Sequence, residues 1–347
     1  MAKTSDTEPY RIAASQLFES KNVPKAIPLC LSADIALGGG IPLGGTILIG
    51  SPPKSGKTTV AVQWGANAQN LYNSKIFYYN LEFRLTKLVL SQVQGLKLDQ
   101  DHFEIIQPPP ITNGTDIVGY KKFSAEQWLE HIGQTLTENQ KAVIIVDSVA
   151  VLSSEKEQSE GIGYSDRGKK NQLDAQFCRK YAGVVQPNSN TLVLITQIMA
   201  NPSGYGAPIG IKASNSFKHQ ADVYLSGKSL SKWPEEGGKI LGHDVAWQIQ
   251  ASAFGPPFME MVVPIRYGYG VDTIKDLITH CVNWEIIKRG GAWYTLPFVE
   301  EDGKLVFKDT AEKPLKVQGE TGVRNWLMMH PTEMALLDKM IREKIFA

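Results

Sequence analysis

Cysteine is scarce in this 347-residue chain. There are three, Cys30, Cys178 and Cys281, far apart and odd in number. That pattern gives neither a disulfide framework nor a clustered zinc site, and it suits a reducing cytoplasm. Charge of one sign is also lacking. Lys and Arg total 36 against 35 Asp and Glu, so bulk charge carries no sign of a nucleic-acid partner. No apolar run approaches the roughly 20 residues that cross a bilayer. The first residues, MAKTSDTEPYRIAASQ, lack the apolar stretch of a secretory leader, and no membrane partner is expected. The six histidines show no HExxH or Cys/His spacing. No Gly-x-Ser-x-Gly elbow and no internal repeat is present, and the longest low-complexity stretch is the three prolines at 108–110. What is present is 42% hydrophobic and 20% charged residues, the make-up of a soluble globular protein with one large domain, or a large and a small one.

Three parts can be read along the chain. In residues 1–37, Ile12, Ala13, Leu17 and Phe18 predict one amphipathic helix over 10–20, and two prolines mark 22–28 as a linker. A helix this short must pack on the core or on a neighbouring subunit. Residues 38–270 read as α/β. Apolar runs at 46–50, 75–81, 142–146 and 191–196 lack clean alternation, as strands covered on both faces do. Helical stretches lie between them, which implies a mostly parallel sheet. Further strands at 221–226, 245–251 and 259–265 suggest an antiparallel extension. Residues 271–347 read as a small α+β lobe. It has a helix over 272–282, a strand over 292–296 paired with 304–307, and two helices split at His330-Pro331.

The sharpest motif is Ser51-Pro52-Pro53-Lys54-Ser55-Gly56-Lys57-Thr58-Thr59, between a strand and a helix. A phosphate-binding loop needs that order, because its backbone N–H groups and the helix N-terminus face the anion. Lys57 would then reach the outer phosphates of a nucleoside triphosphate, and the Thr58 hydroxyl would hold Mg²⁺. Ser51 stands where GxxxxGK[ST] has its first glycine, so it requires a φ compatible with serine. The plainer alternative is a polar strand-to-helix loop. Asp147 ends the 142–146 strand, where an acid holds the magnesium shell through water or merely caps a helix. Glu82 closes the second strand, where it would orient and deprotonate an attacking water or simply face solvent.

Several segments, in order, carry a family resemblance: SADIALGGGIPLGG (32–45), FYYNLEF (77–83), VIIVDSVAVL (143–152), LVLITQI (192–198) and GGAWYTL (290–296). They resemble the RecA family over about 30–340, and NLEF followed by Arg84-Leu85-Thr86 is most similar to the UvsX type of bacteriophage recombinase. The resemblance implies a RecA-like P-loop ATPase core that uses ATP with Mg²⁺. It implies helical filaments of the chain on single-stranded DNA, and strand exchange with homologous duplex DNA. Single-strand-binding and loading proteins would be further partners, in the host cytoplasm if the chain is phage-encoded. Lys57 and Thr58 then match the P-loop lysine and magnesium hydroxyl, Glu82 the catalytic glutamate, and Asp147 the magnesium-associated acid. Gln197 matches the glutamine that senses the γ-phosphate. Two DNA-facing loops match about 155–169 and 198–216. Their DNA-binding candidates are Arg167, Lys169 and Lys170, then Tyr205, Lys212 and Lys218. Each of these also has a plain reading, as a solvated helix charge or an idle loop aromatic.

The chain also departs from the family. Two lysines that reach a neighbour's ATP are implied where this chain has Ala251 and Ala253. Lys218 or His219 would have to complete the site, or turnover is weak. No acidic tail follows Lys344-Ile-Phe-Ala, so regulation by one is not expected. These departures leave open a RecA-fold paralogue that binds nucleotide without exchanging strands. A ring helicase core is a further option, with Arg266 as its arginine finger. Between Asp174 and Asp222 there is no acid, against about five expected at the mean frequency. That window contains the second loop, so a small local charge summed along a filament is compatible with DNA binding.

Overall fold

Runs of Ile, Val and Leu build the middle of the molecule. The computed structural model describes residues 25–200, 209–233, 235–236, 238–301, 304–308 and 314–346. Its centre is a ten-stranded sheet. Nine of the strands are β1 (Thr46–Ser51), β2 (Ile76–Asn80), β3 (Phe103–Ile106), β4 (Val143–Asp147), β5 (Thr191–Ala200), β6 (Val223–Lys232), β7 (Gly242–Ala251), β8 (Glu260–Arg266) and β9 (Gly270–Val271). Their spatial order is β9-β8-β7-β6-β1-β5-β4-β2-β3, and the short strand Ile209–Ile211 pairs off β5. The block from β3 to β6 is parallel. β7, β8 and β9 extend it antiparallel. The fold is therefore α/β, with the mostly parallel sheet and antiparallel extension that the sequence predicts.

Both faces of the sheet are covered, which explains why its central strands are apolar runs without clean alternation. Ile47 and Ile49 of β1 enter one hydrophobic cluster with α1 (Leu31–Leu37) and α2 (Lys57–Tyr72). Leu48 enters the other with α3 (Ala125–Glu138), α4 (Arg167–Val185) and α5 (Asn215–Gln220). β4 divides likewise, Val143 and Ile145 to one side and Ile144 and Val146 to the other. The helices begin where the local chemistry lets them. Ser124 and Gln127 form a reciprocal capping box at α3, and the Asp166 carboxylate accepts the Lys169 N–H at α4. α6 (Thr273–Asn283), α7 (Gly319–Met329) and α8 (Pro331–Phe346) share a third cluster with Leu31 of α1.

Some expectations are corrected. Residues 25–28 are not a free linker, because Ala26–Ile27 pairs with Ile41–Pro42 and Ile27 is fully buried. The helix expected over 10–20 lies outside the described residues. The strand Lys304–Phe307 pairs with Phe298–Glu301 rather than with Trp293–Leu296. The latter lies between Lys288–Gly290 and Leu315–Gln318. Pro297 interrupts the chain between the two strands, and closing the nearer hairpin costs less loop entropy. The segments read as loops carry structure of their own. Glu155–Ser159 is a helical turn and α4 begins at Arg167. β5 runs on to Ala200, and α5 follows Ile209–Ile211. A hairpin of Pro110–Asn113 and Asp116–Tyr120 was not foreseen, although Asn113-Gly114 is a strong hairpin signal and Gly114 has φ 64°.

Candidate active site

The carboxyl ends of β1, β4 and β2 open on one cavity, of about 620 Å³, where open parallel sheets place ligands. Its floor is the loop between β1 and α2. Gly56 has φ 85°, the left-handed conformation that glycine adopts freely, and Lys54 has φ 60°. Ser51 has no positive φ; it is the buried last residue of β1. Its Oγ contacts Ser55 Oγ. The neighbouring strand makes room for it: a Cβ on Gly227 would lie 2.2 Å from the Ser51 Cβ. Serine therefore fits here because the conformational demand is extended, and Gly227 vacates the volume.

Lys57 opens α2, and its Nζ donates to the carbonyls of Ser51 at 3.0 Å and Pro52 at 2.9 Å. Burial pulls its ammonium below the usual lysine value, opposed by the charges of Asp147 and Glu82. The Thr58 hydroxyl donates to Asp147 Oδ2 at 2.7 Å, and the Tyr78 hydroxyl donates to the same oxygen at 2.6 Å. Burial and the Asp147 charge push the Tyr78 phenol far up, so it stays a donor. Glu82 is nearly buried. Ser148 Oγ donates to its Oε1, and Arg84 Nη1 lies 2.9 Å from its Oε2. Pro53, Ser55 and Thr59 line the cavity, as does Gln197 of β5, which is in register with Ser51. The Gln197 carbonyl accepts the Lys212 N–H at 2.7 Å, and the Thr196 hydroxyl donates to the Lys212 carbonyl at 2.6 Å. These two bonds tie the strand at Thr196 and Gln197 to Lys212.

Of the phosphate-site residues read from the sequence, Ser51 to Thr59, Glu82, Asp147 and Gln197 all gather at this cavity or its floor. Sequence reasoning missed Tyr78, Ser148, Arg84, His243 and Tyr267. Tyr78 reaches Asp147 through the pairing of β2 with β4, which only the fold supplies. His243 and Tyr267 come from far along the chain, and no local pattern marks them. The DNA candidates lie elsewhere. Lys169 is exposed near the start of α4, whereas Lys170 Nζ is 3.4 Å from buried Asp174. Arg167 begins α4, Lys212 is exposed and Lys218 lies on α5. Tyr205 lies outside the described residues. Arg266 faces Asp272 and Trp233 and does not line the cavity. Lys218 and His219 do not line it either. A cleft of about 690 Å³ in the last lobe, beside Trp326 and His330, has none of the phosphate-binding elements.

A strand, a glycine-turned loop, a lysine at the following helix and an acid at the end of another strand of the same parallel sheet define the P-loop nucleoside-triphosphatase class. Comparison with known proteins narrows this. The model of the RecA N-terminal domain matches residues 19–272, and the chain belongs to the RecA family. It is 28% identical over 321 residues to Protein RecA of Ruminococcus albus, covering 92% of this chain and 72% of that one. Protein RecA of Petrotoga mobilis is 29% identical over 317 residues, covering 91% and 78%. That of Geobacter metallireducens is 29% identical over 321 residues, covering 92% and 85%. Among the described residues no helix is long and apolar enough to cross a membrane.

Proposed function

We propose that this chain is an ATP-dependent DNA recombinase that polymerises on single-stranded DNA and exchanges strands with homologous duplex. The observation that carries the reading is the meeting of Lys57, Thr58, Glu82, Asp147 and Gln197 at one cavity, with Gln197 hydrogen-bonded to Lys212. The P-loop N–H groups and Lys57 would bind the phosphates of ATP, Lys57 exchanging two backbone carbonyls for phosphate oxygens. Glu82 would accept a proton from the attacking water. The new bond forms between water oxygen and γ-phosphorus, and the β–γ bridging P–O bond breaks with its electron pair leaving on ADP. The Thr58 hydroxyl and Asp147 carboxylate are hard oxygen donors, as Mg²⁺ requires when it keeps several waters. That ion supplies charge neutralisation on the phosphates.

The Gln197 amide would hydrogen-bond the γ-phosphate and lose that partner after hydrolysis, shifting the Lys212 segment. Lys169, Lys212 and Lys218, with Arg167 and Tyr205, are the proposed DNA contacts. Lys170, held by Asp174, is the weaker candidate. The proposed division is an oligomerising segment at 1–37, an ATPase and DNA-binding core at 38–270, and a lobe at 271–347. Residues 25–37 pack into the core and the lobe, so 1–24 would act as the strap. Deleting them should leave a nucleotide-binding monomer, and filaments on DNA would refute this. The likeness of NLEF-RLT to UvsX-type recombinases supports a phage setting in a host cytoplasm. Single-strand-binding protein should then slow assembly until a loading protein is added; unimpeded assembly argues against that setting.

The test is ATP turnover with and without single-stranded DNA, for wild type and Glu82→Gln. DNA should stimulate turnover, and the substitution should abolish it while DNA binding remains. No DNA binding with ATP, and no effect of DNA on turnover, would sink the reading. Ala251 and Ala253 favour a second reading, a nucleotide-binding paralogue without strand exchange. A strand-exchange assay that stays negative despite DNA-stimulated turnover selects it.

A further inference from the structure

Among the described residues that line the nucleotide cavity, the side chains with a cationic head are Lys54, Lys57 and Arg84. Lys54 sits at the loop surface and Lys57 is held by backbone carbonyls. Arg84 belongs to no part of the P-loop, yet it lies in the same cavity and pairs with Glu82 at 2.9 Å. Its placement has a local cause. Phe83, between the two, has φ 53°, which turns the backbone so that residues 82 and 84 line one cavity. The Phe83 ring leaves that cavity for the ring of Tyr120, 4.6 Å away between centroids, on the unforeseen hairpin. The hairpin thus buttresses a turn that is unusual for an aromatic residue.

The two partners differ in freedom. The Arg84 side chain is 73% exposed and that of Glu82 8%. An ion pair with one partner so exposed is weak and readily exchanged. A guanidinium fork matches phosphoryl oxygens with two parallel hydrogen bonds, and a triphosphate offers far more charge than one carboxylate. In this structure Glu82 is engaged at both oxygens, by Ser148 and by Arg84. A base so engaged is poorly placed to take a proton from water.

We propose that Arg84 is a catalytic arginine acting within its own subunit: it leaves Glu82 for the γ-phosphoryl oxygens of bound ATP, steadying their charge in the transition state and freeing Glu82 as base. The proposal rests on the ATPase reading above. The bonds made and broken are those given there; Arg84 transfers no proton and only changes partners. It also makes the chain self-masking, since its base is released by the substrate that needs it.

The test uses the full-length chain as wild type, Arg84→Ala, Arg84→Lys and Glu82→Gln. Two readouts are taken: equilibrium affinity for ADP and for a non-hydrolysable ATP analogue with Mg²⁺, and single-turnover hydrolysis. Arg84→Ala should bind ADP within about twofold of wild type, bind the analogue about tenfold more weakly, and hydrolyse ATP about a hundredfold more slowly or worse. Arg84→Lys should recover analogue affinity better than rate. Equal loss of ADP and analogue affinity would overturn the proposal, since it would mean a structural role. So would turnover by Arg84→Ala that equals or exceeds wild type, which would make the arginine only a restraint on Glu82. Absence of hydrolysis by wild type would instead strike the ATPase reading, and the ratio of the two affinities would still decide where Arg84 binds.

Discussion

Replacing Gly227 by alanine should disturb the phosphate loop from a neighbouring strand. The added Cβ would lie 2.2 Å from Ser51 Cβ, 2.8 Å from Ser51 Cα and 3.2 Å from Pro52 Cδ. All three atoms are backbone or bonded directly to it, so none can swing aside. Ser51 is fully buried, its hydroxyl contacts Ser55, and its carbonyl accepts Lys57. Overpacking of this kind costs about 1–3 kcal/mol, and the severity of the contact puts this case at about 2–3. The melting temperature should fall by roughly 5 °C. Nucleotide affinity should fall too, because the displaced residue begins the loop. Ser51→Gly removes the closest contact and leaves the one to Cα, so the double variant should recover part of the loss. The coupling between the two sites should be about 1 kcal/mol or more. Thermal melts of the four proteins, with and without Mg-ADP, measure it. A Gly227→Ala protein that melts within about 1 °C of wild type, or effects that simply add, would refute the reasoning.

Other outcomes follow from the same geometry. Thr58→Ala should raise the Mg²⁺ concentration needed for half-maximal turnover by about tenfold or more, and an unshifted magnesium titration would count against Thr58 as the holding hydroxyl. Asp272 is fully buried, accepts from Arg266 at 2.5 Å and from Arg324, and caps α6 through the Lys275 N–H. Asp272→Ala should lose about 3–5 kcal/mol in urea unfolding; a loss below about 1 kcal/mol would show that water replaces the pair. His243 is buried with Nδ1 3.1 Å from the Tyr267 hydroxyl, and burial pulls its pKa below the ordinary 6.5. Just below pH 6.5 the unfolded chain therefore binds more protons than the native one, and stability falls as the pH drops. His243→Phe should flatten the fall in melting temperature between about pH 6.5 and 5.5, and an unchanged slope would reject this source.

Much of the site was legible because phosphate chemistry is local. A loop that curls round an anion needs its residues consecutive, so Ser51 to Thr59 announce themselves. Glu82 and Asp147 are legible for a related reason: each follows an apolar run, and parallel strands end on the same edge. The Pro110–Tyr120 hairpin was legible in principle from Asn113-Gly114 but sits among prolines that read as irregular chain. The pairing of Lys304–Phe307 was not, because two strands lay within reach and sequence alone does not rank them.

By itself, then, the sequence determined the α/β order, the strands buried on both faces and the phosphate loop, since each depends on neighbours within a few residues. Only the tertiary structure decided what completes them. Gly227 makes room for Ser51 from another strand, Tyr78 and Thr58 converge on Asp147, and Arg84 clasps Glu82 around the left-handed Phe83. Such complementarity belongs to surfaces brought together by folding: a volume left by one residue, or a charge answered by another, has no meaning until the two are adjacent.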